Sequence, residues 1–116
     1  MRDDILAVET ARHRIAQLND ALRINRIGGR ILVSRGVDSL VQGNFSSLFE
    51  ALATFDAFDP DNDPHGEHDF GLFEFLGVKL MWKIDYYDLE LRVGSNDPSD
   101  PAVTTRVLTV FLAEEY

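Results

Sequence analysis

Phe70-Gly-Leu-Phe-Glu-Phe-Leu-Gly-Val-Lys-Leu-Met-Trp-Lys-Ile-Asp-Tyr86 is the stretch that decides the fold. Two runs, Phe70 to Leu76 and Lys79 to about Tyr86, flank Gly77, the arrangement of a tight β-hairpin. In the second run Leu80, Trp82 and Ile84 alternate with Met81, Lys83 and Asp85, so one face is built for burial. Such a face needs a layer on top of it. The residues upstream supply one.

Phe45, Leu48, Phe49 and Leu52 follow the i, i+3, i+4, i+7 spacing of a helix stripe, which Phe55 extends. Asn44 suits its N-cap, with Ser47 and Glu50 as an alternative capping box further in. This helix is expected to lie across the hairpin, with Trp82 and the stripe in one core. A longer amphipathic helix is expected from about Asp4 to Arg26, where Ile5, Val8, Ala11, Ile15, Leu18 and Leu22 recur every three or four residues. Asp3 and Asp4 favour its start, and Gly28-Gly29 ends it. Arg12, Arg23 and Arg26 fall away from its apolar stripe. Arg30 to Arg35 is β-branched and bounded by glycines, a strand, and Gly36 to Leu40 reads as a turn or a single helical turn.

Downstream, Leu89, Leu91 and Val93 alternate with Asp88, Glu90 and Arg92, predicting another strand. Its phase differs from that of the hairpin, which calls for a bulge or turn near Tyr86 to Asp88. Gly94 to Pro101 is a polar loop. Thr104 to Ala113 favours a strand through its β-branched content, although 107/111 and 108/112 would also suit a helix. The sum is a single α+β domain over residues 1–116. It has an N-terminal amphipathic helix and a second helix packed on a mostly antiparallel sheet of four to five strands.

The 116-residue length suffices for one core without a staple, and the lack of cysteine excludes disulfides, thiolate catalysis and cysteine-ligated zinc. No apolar run reaches the roughly 18 residues of a membrane span, and no export signal is evident, so a cytoplasmic location is the expectation. The net charge of −9 is unevenly spread. Residues 1–36 hold seven Arg against four acids, whereas residues 37–116 hold four Lys or Arg against sixteen acids. A field of that sign repels nucleic acid and attracts basic proteins.

The charge peaks in Asp59-Pro-Asp-Asn-Asp-Pro-His-Gly-Glu-His-Asp69, which carries Asp59, Asp61, Asp63, Glu67 and Asp69 beside His65 and His68. Two prolines and a glycine make it a loop, and its Asx residues can hydrogen-bond its own backbone and pre-organise it. With a divalent metal, His65 and His68 would give imidazole ligands, and Asp61, Asp63, Glu67 or Asp69 oxygen ligands. The spacing fits neither a helical His-Glu-x-x-His motif nor a calcium loop, since Pro64 and Phe70 stand where Gly and Glu are needed. In the bland reading, His68 is a satisfied, buried imidazole. No serine sits in a nucleophile elbow, and Gly28-Gly29 precedes a strand rather than following one, so no phosphate loop is present.

Asn62-Asp-Pro-His-Gly-Glu-His-Asp-Phe-Gly71, Trp82-Lys-Ile-Asp-Tyr-Tyr-Asp88, Asp97-Pro-Ser-Asp-Pro101 and the tail Thr105 to Tyr116 resemble a family of small bacterial proteins known as a domain of unknown function. The resemblance runs over nearly the whole chain from Ile15. It implies a proteobacterial, often plasmid-associated protein of a sort found near anti-restriction genes, and it brings no activity, cofactor or catalytic residue.

The function expected from all this is an acidic, non-catalytic binding protein. It would offer Asp56, Asp59, Asp61, Asp63, Glu67, Asp69, Asp85, Asp88, Glu90, Asp97 and Asp100 to a basic, nucleic-acid-handling protein, as a DNA mimic or counter-defence factor would. It would need no cofactor, bind no nucleic acid directly and touch no membrane. The alternative is a small metal-dependent hydrolase or nuclease using the His65–Asp69 cluster. The oligomeric state is open.

Overall fold

The hairpin forms where the alternation places it. Strands β1 (Phe70–Phe75) and β2 (Val78–Tyr87) pair antiparallel, with Phe75 opposite Val78. Between them Leu76 (φ 52°) and Gly77 (φ 76°) both take left-handed backbone, which matches the strand twist in a two-residue turn. The computed structural model describes residues 2–116, with side chains from Ile5 onward, so the expected helix-start role of Asp3 and Asp4 lies outside the described side chains. Two strands flank this hairpin in sequence and complete the sheet, βN (Gly29–Val33) before it and βC (Thr105–Leu112) after it.

βC runs antiparallel to β2, with Trp82 opposite Val110, and βN runs parallel to βC at the sheet edge, with Ile31 opposite Leu108. The four-stranded order is βN-βC-β2-β1, mostly antiparallel as the alternation implies. Three helices, α1 (Arg2–Asn25), α2 (Arg35–Val41) and α3 (Phe45–Thr54), complete the α+β fold, and a 3-10 turn spans Ala113–Glu115. Among the described residues no helix is long and apolar enough to cross a membrane.

The core lies on one face of the sheet. Leu80, Trp82 and Ile84 from β2 and Leu108 and Val110 from βC meet Leu22 of α1, Val37 and Val41 of α2, and Leu48 and Leu52 of α3. Trp82 is fully buried with the α3 stripe, as the periodicity predicts. Its indole needs Gly71 on the neighbouring strand, where a Cβ would run into Trp82 Nε1 and the Phe55 ring. Phe55 stands edge-on to Trp82 at 5.5 Å and 85°.

Three expectations fail, each for a physical reason. Leu89, Leu91 and Val93 form no strand: the segment folds into turns in which the Asp88 N–H donates to Val93 O (2.9 Å) and the Asp88 carboxylate accepts from the Arg92 N–H (2.9 Å). All three side chains remain exposed, since the core is already closed by β2 and βC, and β2 runs to Tyr87 with no bulge. The segment from Gly36 extends to a seven-residue helix because the Ser34 hydroxyl accepts from the Val37 N–H (3.2 Å) and caps it. In α1, the stripe is buried from Ile15 onward, but Ile5 and Val8 are exposed, and Arg23 is turned into the protein rather than away from it. Asn44 does cap α3, but its side chain meets only the Ser47 hydroxyl (3.3 Å).

Candidate functional site: two acidic loops on one buried network

The antiparallel hairpin and βC bring two loops to the same end of the sheet: Asp59–Asp69, which feeds β1, and Asp88–Thr104, which joins β2 to βC. Between them and α1 lies a chain of polar side chains that the apolar pattern conceals. Asn19 is 0% exposed; its amide donates to the Tyr86 hydroxyl (2.8 Å) and to Glu67 O (3.0 Å), and its carbonyl accepts from Arg106 Nε (2.8 Å). The Tyr86 hydroxyl in turn donates to Glu67 Oε1 (2.9 Å). Arg106, 2% exposed, reaches on to Pro98 O in the second loop and lies 5.2 Å from the Tyr86 ring. One connected network therefore holds Glu67 of one loop and Pro98 of the other. Burial pushes the Arg106 guanidinium below and the Tyr86 phenol above their ordinary pKa values, as low polarity disfavours either charged form.

A second set of contacts pins the first loop from its other side. Arg23 Nη1 donates to Leu52 O (2.8 Å) and Phe55 O (2.9 Å), so a guanidinium from α1 closes the C-terminal end of α3. Arg23 Nη2 meets Asp20 Oδ1 at 3.1 Å, and the same carboxylate lies 2.9 Å from His68 Nδ1, which fixes a proton on that nitrogen. His68 Nε2 faces Asp63 Oδ2 at 3.7 Å, and Asp63 Oδ1 accepts from the His68 N–H (3.2 Å). The imidazole stacks on Phe58 at 3.9 Å and 6°, and Arg23 covers Phe58 at 5.3 Å. His68 holds φ 55°, a left-handed conformation that an L-residue adopts only at some energetic cost.

The predicted acids separate into three groups. Asp63 is buried and Glu67 and Asp69 half-buried; the Asp63 and Glu67 carboxylates accept from the His68 N–H and the Tyr86 hydroxyl. Asp69 is held above the ordinary carboxyl value of 3.8 by burial first and by the nearby Glu67 and Asp63 charges next. Asp56, Asp59, Asp61, Glu90 and Asp97 are exposed, and Asp88 and Asp100 half-exposed. Several are fixed by their own backbone. Asp59 Oδ1 accepts from the Asp61 and Asn62 N–H groups (2.9 and 3.1 Å), Asp97 Oδ1 from Ser99 (3.1 Å), and Asp100 Oδ1 from Ala102 (2.9 Å). Asp85 belongs to neither loop; it sits on the opposite sheet face, 3.1 Å from Lys83.

The two histidines are not brought together. His65 is exposed, whereas His68 is turned to Asp20 and Asp63. Among the described residues no three His, Asp or Glu side chains converge as a metal-binding group. Asn19, Asp20 and Arg106 escape a sequence reading based on apolar spacing. Asn19 nonetheless lies four residues after Ile15 and three before Leu22, and Arg106 shares its alternation with Leu108 and Val110, so a polar residue on an apolar stripe was the available signal.

No curated protein and no solved structure matches the chain. A family model described as protein of unknown function (DUF3768) matches residues 33–115, and the chain belongs to that family.

Proposed function

We propose that this is a non-catalytic binding protein of the cytoplasm that presents the outer carboxylates of its two acidic loops to a basic, nucleic-acid-handling protein. A DNA-mimicking or counter-defence role is the biological form this reading takes. The observation that supports it most is the buried Glu67–Tyr86–Asn19–Arg106–Pro98 network, which ties both loops to one end of the sheet. Pre-organised carboxylates lose little conformational freedom on binding, which is how spaced charges gain affinity. A charge of −9 adds rapid, salt-sensitive encounter with a positive groove.

A pull-down at low salt should recover a basic partner, and affinity should fall by about tenfold or more between roughly 50 and 300 mM salt. Asp59→Asn, Asp61→Asn and Asp97→Asn should weaken binding in steps while unfolding midpoints stay put. The hydrolase alternative draws on one contact, the Asp20–His68 pair, since a carboxylate on Nδ1 is how general-base and metal-ligating imidazoles are oriented. Stoichiometric zinc or manganese retained by the purified protein, with no basic partner recovered, would reject the binding reading in favour of that one.

A further inference from the structure

The helices and the core occupy one face of the sheet, and the other face carries apolar side chains in register. We propose that this open face is the contact between two copies of the chain. Leu72, Met81 and Phe111 form one row across β1, β2 and βC, and Phe70, Lys83, Thr109 and Leu32 form the next row across all four strands. None of these residues belongs to the core cluster; Phe111, 8% exposed, lies beneath the Tyr116 ring, and the others remain partly or largely open. Leu32 is 53% and Leu72 50% exposed, and Tyr116, 86% exposed, stacks on Phe111 at 5.9 Å and 18°. The first row is wholly apolar, and the second places Phe70 and Leu32 at its two ends with Lys83 and Thr109 between them.

Area points to a second copy as the occupant, and the near-neutral charge of the face permits it. The protein as a whole is at −9, so two copies repel over most of their surfaces. The open face is different: Arg30, Lys79 and Lys83 stand there with only Glu74 and Asp85. Rotation about an axis parallel to the strands, between β2 and βC, lays β1 over βN of the other copy and β2 over its βC. Phe70 then meets Leu32 of the other copy, Met81 meets its Phe111–Tyr116 stack, and Asp85 stands one strand away from its Arg30. Strands of five, six, ten and eight residues about 4.8 Å apart give a face of about 460 Å², so the pair buries about 900 Å². That area lies below the standard size of a stable interface, in the range of weak, reversible association.

Sedimentation of the full chain across about 1 μM to 0.5 mM should show a monomer–dimer equilibrium, tightening as salt screens the like charge of the two bodies. Leu72→Lys and Leu32→Glu should each weaken dimerisation by about tenfold or more, a change that one buried leucine contact can carry. Both sites are half-exposed, so urea midpoints should hold. Val8→Lys, on the exposed half of α1, should leave the dimer intact. A monomer at every concentration overturns the proposal. So does a dimer that tolerates both leucine changes and is broken by Val8→Lys.

Discussion

Asn19→Ala tests the network at its centre. The substitution removes three hydrogen bonds: two donated by the Asn19 amide, to Tyr86 and Glu67, and one accepted from Arg106 Nε. Each neutral bond is worth about 1 kcal/mol net, and an acceptor for a buried cation about 1.5–3 kcal/mol. Losing all three should destabilise the fold by about 3–5 kcal/mol, a large share of the stability of a domain this size. Urea unfolding should report it as a lower midpoint at an unchanged slope. The sharper measurement is the double-mutant cycle with Arg106→Met, because a methionine removes the buried charge that Asn19 serves. Coupling between the two changes should exceed about 1.5 kcal/mol, so that Asn19→Ala costs much less once Arg106 is gone. If Asn19→Ala costs under about 1 kcal/mol, or the two changes simply add, the network does not organise this end of the fold.

Two further outcomes follow from the same contacts. Asp69→Asn should stabilise the protein at neutral pH, since a carboxyl raised above 3.8 in the folded state disfavours folding once ionised. The gain should shrink as pH falls through the folded pKa and vanish below 3.8, where both states are protonated; a gain that persists in acid would assign the effect to something other than charge. Trp82→Ala should destabilise by about 3–5 kcal/mol in the same urea assay, as the indole is fully buried between α3 and the sheet.

The hairpin, βC and α3 were legible because each shows its own period: two for Leu80, Trp82 and Ile84, three to four for Phe45, Leu48, Phe49 and Leu52. The same rule misread Leu89, Leu91 and Val93, which alternate but have no apolar surface left to cover, and tertiary context overrode the local pattern. Parallel pairing of βN with βC was beyond reach, since it joins residues some 77 positions apart, as Gly29 to Arg106 shows. The site was half legible. The loop announced itself by charge, but its anchors, Asn19, Asp20, Arg23 and Arg106, are distant in sequence and meet only after the helix docks on the sheet.

The energetic costs in this fold are unevenly placed. At the loop end stand a histidine with φ 55°, a carboxyl raised by burial and then by its acidic neighbours, and a buried arginine balanced by an amide and a backbone carbonyl rather than by a direct carboxylate. Each is unfavourable on its own, and the first two would be relieved by a shorter, less acidic connection between α3 and β1. Elsewhere among the described residues the exceptions are scattered: Arg26, Gln42, Leu76 and Leu91 hold positive φ one at a time, and Trp82 Nε1 is buried without a hydrogen-bond partner. Stability alone therefore gives no reason for eleven residues holding five carboxylates where a short turn would serve. Several local rules broken together in one loop are the pattern that the proposed binding surface would leave in the fold.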